Sequence, residues 1–114
     1  MNIAVENHGP VVVLNLRGEM TDESVGAFAK AVDHQLENKD VVDIVLNMES
    51  VPFLDSAALT YLLDLQDRLS ERLGQVKLGA IDDNVRVILE VTRLKATFDV
   101  HESADEAVRA VSAG

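Results

Sequence analysis

The chain has 114 residues, a length that fits one domain with a single hydrophobic core. Twenty acidic residues against ten basic residues give a net charge of −10, which repels nucleic acid and anionic lipid and leaves proteins as the expected partners. Cysteine is absent, which excludes disulfides, thiolate metal sites and thiol nucleophiles. Neither a signal peptide nor an apolar run of membrane-spanning length is recognisable, so we expect a cytoplasmic protein without membrane insertion.

The start of the chain predicts a pair of antiparallel strands. Ile3 to Asn7 alternates between apolar and polar residues, and Val11 to Leu16 is rich in β-branched residues. Between them, His8-Gly9-Pro10 has the composition of a turn. We expect Gly18 to end the second strand.

A helix and a buried strand are predicted next. Thr21 or Asp22 can cap the helix, because both side chains accept hydrogen bonds from free backbone N–H groups. The apolar residues of this helix share one face: Val25, Phe28, Ala29, Val32 and Leu36. Val41 to Met48 is almost continuously apolar, interrupted by Asp43 and Asn47, which predicts a central strand covered on both faces.

The middle of the chain predicts a long helix from Ser56 to Leu73. Its leucines recur at helical spacing: Leu59, Leu62, Leu65, Leu69 and Leu73. Gly74 stands where a helix commonly ends in a left-handed residue. A fourth strand is expected from Val76 to Ile81.

The last third of the chain predicts a helix, a short strand and a terminal helix. Val85 to Val91 is β-branched enough to form a strand, but we favour a helix, because strands and helices already alternate along the chain. The candidate caps of this helix are Asp82, Asp83 and Asn84. Thr97 to Val100 is the expected last strand, and Ser103 to Glu106 reads as a capping box. The terminal helix would use one apolar face: Ala104, Ala107, Val108 and Val111.

Together these elements predict an α/β fold with the order ββαβαβαβα, in which helices pack on a mixed β-sheet. We expect one domain over residues 1–114, since no linker, repeat or low-complexity tract interrupts the sequence. Functional sites are therefore expected at the ends of strands and helices.

Several kinds of chemistry lack the residues they need. The three histidines, His8, His34 and His101, have no metal-ligand spacing, and the six glycines are too dispersed for a dinucleotide or phosphate loop. No metal and no cofactor is therefore expected. Ser56 does not fit a hydrolase nucleophile, because Leu54 and Ala58 replace the glycines of that turn.

The point where the central strand turns into the long helix is the most informative feature. The first N–H groups of a helix lack internal partners and carry the positive end of the peptide dipoles, so a phosphoryl group on Ser56 would find donors there. Asp55 and Ser56 are also ordinary helix caps, so a purely structural role stays open. A third possibility is a receiver domain phosphorylated on Asp55, although a receiver keeps an acidic pair where this chain has Asn7-His8.

The segment from Ile44 to Leu59 resembles the signature of the STAS domain, the anti-sigma factor antagonist family. Arg17-Gly18-Glu19-Met20 and Leu94 to Phe98 resemble two further family segments, so the likeness extends over the whole chain. The resemblance implies phosphorylation of Ser56 by a partner serine kinase that is also an anti-sigma factor, and reversal by a PP2C-type phosphatase. The unphosphorylated protein would bind the kinase, release its sigma factor and perform no catalysis.

The resemblance also implies roles for the residues around Ser56. Asp55 would cap the helix and position the serine. The implied partner contacts surround it: Gly18, Glu19, Thr21, Asp22, Ala57, Ala58, Thr60, Tyr61 and Asp64. Ala58 stands where the family usually has glycine, and its methyl lies where a partner must approach, so we expect Ala58→Gly to speed phosphorylation. Thr21 stands where the family usually has aspartate.

The family also includes proteins with other outputs. Some regulate secretion or a signalling enzyme, and others are accessory subunits of membrane transport complexes. These outputs remain alternatives to the release of a sigma factor.

Overall fold

The computed structural model describes residues 1–113 and confirms the predicted order of elements. Gly114, the last residue of the predicted domain, lies outside the described residues. The strands are β1 (Asn2–His8), β2 (Val11–Arg17), β3 (Asp43–Ser50), β4 (Val76–Gly79) and β5 (Asp99–His101). The helices are α1 (Asp22–Leu36), α2 (Ser56–Glu71), α3 (Asp83–Val91) and α4 (Ala104–Ala113).

The strands form one mixed sheet, as predicted. Their order in the sheet is β1-β2-β3-β4-β5. β1 is antiparallel to β2 and joins it through the predicted turn, where Gly9 has a φ of 69°. The pairs β2–β3, β3–β4 and β4–β5 are parallel. Because parallel strands end at the same edge of a sheet, the loops that lead into α1, α2 and α3 lie together at that edge.

The helices cover the two faces of the sheet unequally. Ile44, Leu46 and Met48 of β3 belong to the main core, which includes the buried residues of α1, α2 and α3. Val45, on the opposite face, packs in a smaller cluster with Ala107 of α4. Both faces of the central strand are therefore covered, as its continuous hydrophobicity predicted. Within residues 1–113, no helix is long and apolar enough to cross a membrane.

The segment that could have been a strand or a helix forms α3. Asp82 caps it, accepting a hydrogen bond from the N–H of Val85 at 2.9 Å. Val85 and Leu89 face the core, whereas Val87 and Val91 are 54% and 76% exposed. The helix prediction is confirmed, and the strand-like composition reflects apolar residues on the solvent side of the helix.

The sequence predicted that Gly74 would be the left-handed residue at the end of α2, and this prediction is wrong. Leu73 has a φ of 63° instead, and the N–H of Gly74 donates to the carbonyl of Leu69 at 2.8 Å. A Cβ atom on Gly74 would lie 1.7 Å from the carbonyl oxygen of Val42. The glycine is therefore required by a close backbone approach, while α2 ends at Glu71 instead of Leu73.

Several strand boundaries also differ from the prediction, including both ends of β3, which runs from Asp43 to Ser50 and not from Val41 to Met48. β4 ends two residues before Ile81, because Ala80 has a φ of 58° and leaves the extended conformation. β5 begins at Asp99 and not at Thr97, because the Thr97 N–H donates to the Leu94 carbonyl in a turn at 3.0 Å.

Candidate functional site

The segments that precede α1 and α2 run side by side at the carboxyl edge of the sheet. The N–H of Gly18 donates to the carbonyl of Ser50, and the N–H of Met20 to that of Phe53, each at 3.0 Å. The N–H of Asp55 donates back to the carbonyl of Met20 at 3.1 Å. These bonds fix the beginnings of the two helices beside each other.

Asp55 strengthens this junction with its side chain. One carboxylate oxygen accepts from the N–H of Ala58 at 2.9 Å and so caps α2. The other accepts from the N–H of Asp22, the first residue of α1, at 2.8 Å. The hydrogen bonds from Ala58 and Asp22 lower the pKa of Asp55, because they stabilise its charged form. One ionised carboxylate thus binds the first turns of two helices.

Ser56 is the first residue of α2, and its side chain is exposed. Within the part of the chain that the structure describes, its hydroxyl makes no hydrogen bond. The first turn of α2 contains no acidic residue, so the positive end of the helix is balanced locally by Asp55. An incoming enzyme can reach the hydroxyl, and a phosphoryl group there would stand next to the Asp55 carboxylate.

The residues implied as partner contacts differ in how exposed they are. Gly18, Thr21 and Ala57 are partly buried and expose mainly backbone or small side chains. The exposed members of the set are Glu19, Asp22, Thr60 and Asp64. Of these, Thr60 and Asp64 follow Ser56 at intervals of four residues, so the three side chains share one face of α2.

Tyr61 is half-buried and packs at the edge of the core. Its ring lies 5.3 Å from the ring of Phe28 in an edge-to-face arrangement. The hydroxyl oxygen is buried and has no hydrogen-bond partner among the residues described. Burial raises the pKa of the Tyr61 phenol. Only part of the ring is therefore available to a partner.

Ala58 is completely buried, which corrects its assignment as a partner contact. Its methyl group belongs to the core cluster together with Leu62 and Leu65 of the same helix. The comparison with the usual glycine suggested that this methyl obstructs an approaching protein. Because the methyl is buried, it does not stand in that path.

A separate group of charged side chains lies on the sheet face that α4 covers. Lys77 is buried and forms an ion pair with Asp99, which also bonds to the ring of His101 at 2.8 Å. Burial tends to raise the pKa of Asp99, but the hydrogen bonds and charges of Lys77 and His101 outweigh it and lower that pKa. This group is distant in sequence from Ser56 and stabilises the pairing of β4 with β5.

Sequence patterns did not reveal the contact between Asp55 and Asp22. The two residues are 33 positions apart, and the donor is a backbone N–H, which every residue except proline carries. A carboxylate at a helix start predicts a cap for its own helix only, so no sequence signal identifies the second helix.

Comparisons with known proteins agree with this fold. The family model described as STAS domain matches residues 2–107. The anti-sigma F factor antagonist of Paenibacillus polymyxa is 19% identical over 103 residues, covering 90% of this chain and 88% of that protein. The structure of an anti-sigma factor antagonist from Mycobacterium paratuberculosis superposes with a TM-score of 0.85 at 25% identity, over 97% of this chain and 93% of that one.

The anti-sigma factor antagonist SpoIIAA has been solved in two states. Its unphosphorylated form gives a TM-score of 0.85 at 21% identity, covering 99% of this chain and 98% of that one. The phosphorylated form, from Bacillus, gives 0.75 at 21% identity, covering 96% and 99%. At these identities, the likeness to SpoIIAA shows a shared fold.

Proposed function

Because the chain belongs to the STAS domain family, we propose that it is a phosphorylation-controlled regulator that exchanges protein partners and has no catalysis of its own. Its unphosphorylated form binds a serine kinase that is also an anti-sigma factor, and this binding releases the sigma factor. Phosphorylation of Ser56 ends the complex, and a PP2C-type phosphatase restores the binding form. These proteins meet it in the cytoplasm.

The observation that carries this proposal is the exposed, unbonded hydroxyl of Ser56 at the first position of α2. A kinase must bring ATP in line with that oxygen, which requires an open approach. The hydrogen bonds between the segments that contain Met20 and Phe53 hold the surroundings of the hydroxyl in one conformation. A partner can therefore recognise this surface before any modification occurs.

Phosphorylation would change the free energy of docking through charge and hydration. The phosphoryl group carries about −1.5 to −2 charges at pH 7, and it would lie next to the ionised Asp55. A partner that packs closely over Ser56 would have to remove water from this dianion. A thousandfold loss of affinity requires about 4 kcal/mol, which is of the order of the cost of burying an unpaired charge.

The residues that we assign to partner binding are those that remain accessible around Ser56. They comprise the exposed side chains of Glu19, Asp22, Thr60 and Asp64, the partly buried Gly18, Thr21 and Ala57, and one edge of the Tyr61 ring. Asp55 positions Ser56 and holds α1 against α2. Control by phosphorylation is supported by a protein of similar fold, because SpoIIAA is known in phosphorylated and unphosphorylated forms.

A receiver-type reaction at Asp55 receives no support from the site. Both carboxylate oxygens of Asp55 already accept hydrogen bonds from backbone N–H groups. Among residues 1–113, no group of three or more histidine, aspartate or glutamate side chains is placed to hold a metal ion. Acetyl phosphate with magnesium should therefore yield no hydroxylamine-sensitive acyl phosphate.

The proposal is tested with the serine kinase that an immobilised Ser56→Ala protein retains from the source cells. We expect the purified kinase to bind the Ser56→Ala protein as tightly as the unmodified protein, and to bind Ser56→Asp and the phosphorylated protein more weakly. Ser70→Asp is the matched control, because it adds the same charge to an exposed serine about 21 Å along the same helix. Equal affinities of Ser56→Ala and Ser56→Asp in calorimetry would refute the switch.

The same experiment identifies the output of the switch. The protein that is displaced from the kinase when the unphosphorylated protein binds can be named by mass spectrometry. Its identity separates the release of a sigma factor from the regulation of secretion, of a signalling enzyme or of a transport complex.

A further inference from the structure

The solvent-facing side of α3 is apolar, although the helix already contributes buried residues to the core. Val87 and Val91 are 54% and 76% exposed, and Ile88 between them is half-buried. These three residues form an apolar stripe, which shares one face of the helix with the polar Asn84, because positions 84, 87, 88 and 91 recur at helical spacing. The stripe occupies about two turns of the helix surface.

A second apolar element faces this stripe across an open groove. Phe53, in the loop between β3 and α2, is 42% exposed, and its neighbour Pro52 is also exposed. The groove has a volume of about 630 Å³ and is lined by Pro52, Phe53, Asn84, Val87, Ile88 and Glu19. Its two walls therefore come from the loop that precedes Ser56 and from α3.

The exposure of Val87 and Phe53 in the groove is not explained by the stability of the isolated chain. Val85 and Leu89, together with the half-buried Ile88, provide the core contacts of α3. Valine at exposed helical positions is a weaker helix former than alanine or lysine, and its apolar surface in contact with water adds no stability. Clustered exposed apolar residues in a soluble domain commonly mark a surface that binds another protein.

The groove is continuous with the surface around Ser56. Glu19 lines the groove and also lines a neighbouring depression together with Thr21, Asp22, Glu23 and Asp55. Neither depression is lined by a lysine or an arginine. Because the whole chain carries a net charge of −10, a second copy would meet like charges at this join. The charge distribution therefore favours a different protein that presents a non-acidic surface.

We propose that this groove is the second half of the docking surface for the serine kinase that Ser56 controls. The kinase inserts an apolar side chain between Phe53 and Val87 while it packs over Ser56. This inference rests on the proposed function, and it deepens it by adding an apolar anchor that phosphorylation does not alter. The anchor supplies affinity, and Ser56 decides whether the rest of the interface can close.

The test removes the apolar stripe in a protein that cannot be phosphorylated. In the Ser56→Ala background, Val87→Ser and Val91→Ser are combined, because serine and valine have similar helix propensities and both positions face solvent. Leu73→Asn is the matched control: Leu73 is 96% exposed, follows the opposite end of α2, and has a left-handed conformation that asparagine tolerates. Calorimetry with the purified kinase measures the affinity of each variant.

We expect the double variant to bind the kinase at least tenfold more weakly, about 1.4 kcal/mol, and Leu73→Asn to bind within twofold of its parent. Phe53→Ser probes the opposite wall of the groove without changing α3, and we expect the same direction of change. Unaltered affinity of both groove variants would overturn the inference. A shift from dimer to monomer in sedimentation of the double variant would also overturn it, because a second copy would then occupy the groove.

These outcomes are separate from those that concern the switch. Equal binding of Ser56→Ala and Ser56→Asp would refute control by phosphorylation. Unchanged affinity of both groove variants would refute the anchor and leave the switch intact.

Discussion

The Asp55 carboxylate accepts a hydrogen bond from the backbone N–H of Asp22 at 2.8 Å, although the two residues are 33 positions apart. Since the same carboxylate also caps α2, it fixes the distance between the first turns of α1 and α2. The surface around Ser56 spans both helices, so its shape depends on this side chain together with the backbone hydrogen bonds that join the segments of Met20 and Phe53.

Replacing Asp55 with alanine should destabilise the fold more than removing an ordinary cap. Asp55→Ala leaves the N–H groups of both Asp22 and Ala58 without their acceptor, whereas Asp82→Ala frees only the N–H of Val85. We expect the larger fall in Tm, about 5 °C or more, for Asp55→Ala. Thermal unfolding followed by circular dichroism compares the two variants, and equal shifts would contradict a double role for Asp55.

The free energy of unfolding should fall in acid. The pKa values of Asp55 and Asp99 are lowered in the folded chain. Their ionised forms therefore stabilise the fold at any pH above the pKa of an aspartate in the unfolded chain, about 3.9. This contribution is lost as the pH falls through the lower folded values. Urea unfolding at pH 7 and pH 3 should show a smaller loss for Asp55→Asn than for the parent.

Leu73 and Gly74, in the turn that follows α2, should respond in opposite ways to substitution. Gly74→Ala places a methyl group where the Val42 carbonyl lies, so we expect a loss of about 2 kcal/mol or more in the free energy of unfolding. Leu73→Gly relieves a left-handed conformation without removing a buried contact, and should raise that free energy by up to about 1 kcal/mol. Urea unfolding measures both, and a stable Gly74→Ala protein would contradict the close approach.

Ala58→Gly should leave the rate of phosphorylation unchanged. The Ala58 methyl is 0% exposed, so its removal opens no path towards Ser56. The substitution should instead lower the free energy of unfolding by roughly 1 kcal/mol through helix propensity, with a further loss from the vacated core space. Phosphorylation by the purified kinase, measured at a temperature where both proteins are folded, checks this expectation. A faster rate would restore the expectation that the sequence resemblance suggested.

The sequence predicted the kinds of elements and their order because most of them have a strong periodic signal, and the alternation of strands and helices decided α3. The β-branched run before Ser56 and the leucine spacing after it located the start of α2 to the residue. The buried position of Ala58 was also readable, since it precedes Leu62 by four residues on the leucine face. The resemblance to a family motif directed attention instead to the approach of a partner.

Other features depend on contacts that no local pattern encodes. A glycine after a helix serves equally well for a left-handed turn or for a close approach, and only the position of the Val42 carbonyl distinguishes the two for Gly74. In α3, the exposed Val87 and Val91 blurred the helical period, because periodicity identifies a core face only when the other face is polar. Val87, one of the two residues that made this prediction difficult, also lines the proposed groove.

The order of strands in the sheet follows the order of synthesis, so each strand finds its neighbour already made when it leaves the ribosome. The segment around Met20 is likewise complete before Asp55 emerges to pair with it. The sheet face that contains Val13 and Val45 behaves differently, because these residues stay uncovered until α4 is translated. A nascent chain that stalls before α4 would therefore expose an apolar face of the sheet. Covering this face with α4 should reduce aggregation during synthesis.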